Sequence, residues 1–281
     1  MTLVNLPGGE TIWYKVTGEG APLLQIHGSA FGHRNFEHLT PLCAQDFAVI
    51  DFDLPGYGES RGAPRPGGMV GIAELVFELI EALPYDKVSI HGTSFGAMVA
   101  LTLAAHHPEV VDRLVLSCFL ARYDNAARMM RATWKRCARE QGMVAVADLT
   151  SVAGFARGFY DRPDAEEILE SIRDANSKTL PEAFIAGTET IEKTDLSPLL
   201  PKITMPVLLL AGAEDNMTAF DTAPSGFGLR RISEALVQAE LHVIPESGHY
   251  LVIEQPGLVA EKVRDFLPHR DDAGAFVGAP D

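Results

Sequence analysis

Gly92-Thr93-Ser94-Phe95-Gly96 spells G-x-S-x-G. A short β-branched run, Val88 to His91, leads into it, and a small-residue helical pattern continues to His106. Strand, sharp turn and helix are the context in which such a serine becomes a nucleophile held above a sheet. The turn crowds the residues two before and two after the serine, where a Cβ would collide, and both are glycine. Gly96, Ala100 and Ala104 recur every fourth residue, leaving one helix face bare enough to press on a sheet. The Phe95 N–H then lies at the positive end of that helix.

A serine hydroxyl attacks only when a base takes its proton, so a histidine must follow. Nine are available. His249 stands out, in a glycine-bearing loop (Pro245-Glu246-Ser247-Gly248-His249-Tyr250) after the last strand-like run. His106 and His107 close the serine's helix and suit its C-terminal dipole. His242 lies within a strand, His27 reads as a packing histidine, and His33 and His38 show no specific pairing. The base needs a carboxylate to fix its tautomer. Glu214 and Asp215 both stand at the carboxyl end of the strand-like run 206–211, and adjacent side chains diverge, so one alone points inward. Asp124 is a weaker alternative that suits a helix cap. An oxyanion would need two N–H donors. Phe95 supplies one, and Ser29, after His27-Gly28, supplies the other if Gly28 turns that amide inward.

The elements that must carry these residues are short apolar strands separated by helices. Glu10 to Thr17 alternates; Pro22–Ile26, Phe47–Asp51, Val88–His91, Arg113–Ser117, Pro206–Ala211 and Leu241–Ile244 read as further strands. Ile72, Leu75, Val76, Leu79, Ile80 and Leu83 follow helical spacing, as do segments around 229–238 and 257–267. Buried strands alternating with helices predict a parallel sheet covered on both faces. Between Arg122 and Pro201 only helical runs occur: 124–141, 144–159, 164–177 and 181–191. An insertion of this kind reads as a cap over the strands' carboxyl ends, where ligands bind. The expected division is a core over 1–120 and 201–268, a helical cap over 121–200, and a flexible tail over 269–281. Arg128, Arg131, Lys135, Arg136 and Arg139 make the first cap helix basic. The spacing predicts a solvated face pairing with acids; the alternative is an arginine that reaches the pocket and holds a substrate carboxylate.

The chain has 281 residues and a formal net charge of −15. A chain this long buries roughly three quarters of its unfolded surface and needs no disulfide or metal staple. Its three cysteines, Cys43, Cys118 and Cys137, are widely spaced without C-x-x-C, and no His/Cys/Asp cluster has metal-ligand spacing. The N-terminus lacks a basic and an apolar signal region, and no apolar run approaches a membrane span. A cytoplasmic protein is therefore expected, with a small-molecule substrate and no cofactor or metal. Its acidity disfavours nucleic acid and anionic membrane as partners. A homodimer is compatible with the sequence.

His27-Gly28-Ser29, Asp53-Leu54-Pro55-Gly56-Tyr57-Gly58-Glu59-Ser60, Gly92-Thr93-Ser94-Phe95-Gly96, Gly212-Ala213-Glu214-Asp215 and Ser247-Gly248-His249 resemble, in order, the signature blocks of the α/β-hydrolase superfamily. The resemblance covers 10–120 and 201–267 and points to the capped, serine-nucleophile members. It implies an α/β fold: a mostly parallel eight-stranded sheet flanked by helices, with an all-helical cap after the sixth strand. It also implies Ser94 as nucleophile, His249 as base, Asp215 as acid, and the Ser29 and Phe95 amides as oxyanion hole. Dehalogenases and epoxide hydrolases of this fold are similar but carry Asp where Ser94 stands. Carbon–carbon hydrolases typically carry Trp after the histidine and Met after the nucleophile, where this chain has Tyr250 and Phe95. The expected activity is cleavage of a carboxylic ester or lactone of a small, partly apolar molecule through an acyl-enzyme. The alternatives are a carbon–carbon or thioester hydrolase on the same triad, and a ligand-sensing protein of the same fold.

Overall fold

A computed structural model describes residues 2–270 and 276–277. Its strands are β1 (Thr2–Asn5), β2 (Thr11–Thr17), β3 (Ala21–Ile26), β4 (Phe47–Phe52), β5 (Val88–Thr93), β6 (Val111–Ser117), β7 (Val207–Gly212) and β8 (Ala239–Ile244). They form an eight-stranded sheet in the order β1-β2-β4-β3-β5-β6-β7-β8. β2 pairs antiparallel with β1 and β4; every later pairing in the sheet is parallel. β4, β5 and β7 are buried along their whole length, as the continuous apolar runs require when helices cover both faces.

The period of two divides the core. Val207 and Leu209 join one hydrophobic cluster, while Leu208 and Leu210 join the other across the sheet. The helices are α1 (Thr40–Cys43), α2 (Gly68–Glu81), α3 (Phe95–His106), α4 (Asn125–Gln141), α5 (Met143–Gly154), α6 (Ala165–Ser177), α7 (Pro181–Lys193), α8 (Leu229–Ala235), α9 (Leu251–Glu254) and α10 (Pro256–Phe266). α2 and α3 cover one face and α1 and α10 the other. α3 is buried all round from Phe95 to Ala104, and a Cβ on Gly96 would lie 2.0 Å from the Ile26 carbonyl oxygen. Glycine there lets the helix approach the sheet backbone.

α4 to α7 fill the chain between β6 and β7 without a strand among them. Its two ends meet at a bridge between Arg122 and Asp195, whose side chains also pair at 2.9 Å. α5 stops at Gly154, short of the expected 159, because the Gly154 carbonyl turns to accept from the His249 N–H at 2.6 Å. Beyond α10, His269–Arg270 (β9) pairs with Phe276–Val277 (β10); the rest of the expected flexible tail lies outside the described residues.

Candidate active site

Ser94 joins β5 to α3 at φ 54° and ψ −114°, a backbone conformation that a side-chain-bearing residue rarely holds. Its N–H donates to the Ser117 carbonyl at 2.8 Å, tying the turn to β6. A Cβ on Gly92 would come within 2.5 Å of the Gly96 carbonyl oxygen, so the strained turn closes only with glycine there. The strain is held by a fully buried strand on one side and, on the other, a helix buried from Phe95 to Ala104.

The Ser94 hydroxyl lies 3.0 Å from His249 Nε2, and His249 Nδ1 lies 3.1 Å from Asp215 Oδ2. Asp215 Oδ1 accepts from the N–H groups of Met217 (2.8 Å) and Thr218 (2.9 Å), and Oδ2 accepts from the Thr218 hydroxyl at 2.5 Å. Burial pushes the Asp215 carboxyl up, but the facing His249 and these hydrogen bonds outweigh it and bring it down to about 2. An ionised carboxylate beside Nδ1 calls for the proton on that nitrogen, which leaves Nε2 free to accept from Ser94. The sequence reading named the three residues but missed Thr218, whose Oγ1 also lies 3.1 Å from His249 Nδ1. Its only sequence signal is a hydroxyl residue three places after Asp215, the spacing at which a carboxylate caps the following turn.

The other candidates separate from this chain. Glu214 turns outward and accepts from the Arg157 N–H at 3.0 Å. Asp124 caps α4, accepting from Ala127 N–H at 2.9 Å. His27 is packing, as expected: Nδ1 bonds the Gly28 carbonyl, Nε2 accepts from Leu54 N–H, and burial lowers its pKa. His33, expected unpaired, bonds Asp53 through Nδ1 at 2.9 Å. Gly28 does not adopt a positive φ; in the same loop Ala30 does, at φ 92°, as does Gly32 at φ 61°. Glycine serves at 28 through closeness, since a Cβ there would lie 3.2 Å from Asn35 Oδ1 and 3.5 Å from Ser94 Cβ.

Gly28, Ser29, Ser94, His249 and Tyr250 line a cavity of about 20 Å³, roofed by Arg131 and Trp134 of α4, Thr150 of α5 and Phe184 of α7. That volume is room for about one water. A larger cleft of about 310 Å³ runs between α7 and the loop after β4, with Tyr57 and Phe95 in its wall, but no residue of the Ser94–His249–Asp215 chain lines it. Of the two, the smaller space is the one that Ser94 and His249 border. Of the basic residues on α4, Lys135 pairs with Glu192, Arg139 with Glu189, and Arg128 bonds the Tyr123 carbonyl. Arg131 does not follow the expected solvated face: it is buried, 2% exposed.

Among the described residues, Cys118, Asp215 and His249 place possible metal-ligand atoms within 4.8 Å of one another. Burial drives the Cys118 thiol well up, away from the thiolate a metal needs, and His249 and Asp215 already bond each other. The three cysteines are free and buried, and no described helix is long and apolar enough to cross a membrane.

A family model described as the alpha/beta hydrolase fold matches residues 21–256. The chain is 28% identical over 211 residues to 3-oxoadipate enol-lactonase 2 of Acinetobacter baylyi, covering 75% of this chain and 74% of that one. It is 25% identical over 277 residues to the 2-hydroxy-6-oxo-6-(2'-aminophenyl)hexa-2,4-dienoic acid hydrolase of Metapseudomonas resinovorans, covering 96% and 91%. Among solved structures, a thermophilic esterase from Thermogutta terrifontis superposes with a TM-score of 0.83 at 25% identity, covering 94% and 97%.

Proposed function

The chain belongs to the α/β hydrolase family, and from that premise we propose that it is a serine hydrolase cleaving a carboxylic ester or lactone of a small molecule through an acyl-enzyme. The observation that carries this reading is the continuous hydrogen-bonded chain from Ser94 Oγ through His249 to Asp215. In the reaction, His249 Nε2 takes the hydroxyl proton as Ser94 Oγ attacks the carbonyl carbon. Asp215 stabilises the imidazolium. The developing oxyanion is assigned to the N–H groups of Phe95, at the start of α3, and of Ser29, which borders the same cavity as Ser94. His249 then protonates the departing alkoxide, and a water activated by the same nitrogen releases the acid.

The lactonase and esterase among the relatives support ester chemistry, and the dienoic acid hydrolase supports the carbon–carbon alternative. One observation favours the ester. The Phe95 side chain, after the nucleophile, turns into the larger cleft and carries no group that would handle the extra proton carbon–carbon cleavage requires.

The test is a double-variant series on 4-nitrophenyl butyrate. Ser94→Ala and His249→Ala should each lower kcat by several orders of magnitude, and the double variant should lose little more than either. A residual rate of roughly 10³–10⁴ over water would remain. Strictly additive losses would mean that the two side chains do not share a step.

A further inference from the structure

Resting on the reading above, the structure assigns a substrate class: we propose that Arg131 anchors a carboxylate, so that the ester or lactone opened at Ser94 is an acidic one. Arg131 is 2% exposed and lines the cavity that holds Ser94 and His249. Its Nη2 donates to the Tyr123 hydroxyl at 2.7 Å, while Nε and Nη1 are buried with no hydrogen-bond partner. Among the described residues no carboxylate lies within ion-pair distance of it. The Tyr123 ring centroid stands 4.6 Å from its Cζ and that of Trp134 5.3 Å.

A guanidinium keeps its charge, and burying an unpaired charge is far more costly than cation–π contact with two rings repays. The expense is avoidable at this position, since α4 already exposes Arg128, Arg136 and Arg139 to solvent. An uncompensated cation at the wall of a reaction cavity is what a site holds ready for an anion that arrives with the substrate. The three N–H donors on Nε and Nη1 stay open, and Nη2 has a second N–H beside the one given to Tyr123, so an edge of the guanidinium can offer two parallel donors. Two oxygens of one flat carboxylate match that edge. Asp215 does not serve as the partner, because Thr218, Met217 and His249 occupy its oxygens.

The experiment compares an acidic ester, mono-4-nitrophenyl glutarate, with the neutral 4-nitrophenyl butyrate. In Arg131→Met the ratio of kcat/KM for the acidic over the neutral ester should fall about 30-fold or more, chiefly through KM. Arg131→Lys, which keeps charge but loses the fork, should fall between. Arg131→Gln serves where the methionine variant does not fold, because it retains a donor for Tyr123. Binding is read separately by melting temperature. Glutarate should raise the Tm of Ser94→Ala by roughly 2 °C or more, and should not raise that of Ser94→Ala/Arg131→Gln. Parallel losses on both esters, or a glutarate shift that survives loss of Arg131, would overturn the proposal. So would an equal shift with inorganic phosphate, which would remove the carboxylate. An Arg131-dependent glutarate shift in a protein that cleaves neither ester would keep the anion site and sink the ester reading instead.

Discussion

At the scale of residues, the hydrogen-bonded chain of Ser94, His249 and Asp215 has a fourth member in Thr218. Thr218 Oγ1 donates to Asp215 Oδ2 at 2.5 Å and sits 3.1 Å from His249 Nδ1, so it braces the carboxylate against which the imidazole is oriented. With Asp215 held at about 2, the carboxylate stays ionised through any ordinary assay pH, and the acid limb of the rate profile does not arise there. Thr218→Val keeps the side-chain shape and removes the hydroxyl. It should lower kcat about tenfold with little change in KM, the loss of one hydrogen bond to a charged group. Thr218→Ser should recover most of the rate. Steady-state kinetics of the pair decide it: a valine variant at full kcat would reduce Thr218 to packing.

At the scale of elements, what the sequence revealed follows from which patterns survive folding. Leu208 and Leu210 face one core and Val207 and Leu209 the other, so an unbroken apolar run was enough to announce a two-sided strand. G-x-S-x-G announced its turn because a Cβ at 92 would meet the Gly96 carbonyl across the turn and a Cβ at 96 would meet the Ile26 carbonyl of the neighbouring strand. β1 gave no such signal: Thr2–Asn5 is an exposed edge that exists only through pairing with β2. The end of α5 was illegible because its cause, the bond from His249 N–H to Gly154, lies 95 residues away in the chain. Glu254 ties the same regions together, accepting from Ala156 N–H and Gly248 N–H at 2.8 and 2.7 Å. Arg131 was half legible. It shares the buried stripe of α4 with Ala127, Trp134 and Ala138, and only its charge argued for the outer face. Tertiary context overrode residue type there, as it does where a site is being built.

At the scale of the whole molecule, two carboxyls outside the reaction chain set a pH dependence of folding. Burial pushes Asp51 up to about 7 against the bond from Thr40, and pushes Glu254 up to about 7 against its two backbone bonds. Between the ordinary carboxylate range, near 4, and about 7, the folded chain binds protons that the unfolded chain has released. The contribution of these two carboxyls to stability therefore falls as pH rises through that window and levels off above it, while the buried His27 and His91, whose pKa values burial lowers, contribute with the opposite sign. On going from pH 5.5 to pH 8, Asp51→Asn should lose about 2 kcal/mol less stability than the parent chain, read as a smaller pH dependence of Tm. An undiminished slope in the variant would assign the dependence elsewhere. The central claim, an acyl group carried on Ser94, is tested most directly by quenching the enzyme in acid milliseconds after mixing with excess 4-nitrophenyl butyrate and mapping the adduct by peptide mass spectrometry. The account predicts one butyryl group on the peptide containing Ser94, absent in Ser94→Ala and accumulating in a burst of nitrophenol. Turnover with no adduct at Ser94, beside fast cleavage of a vinylogous diketone, would contradict it.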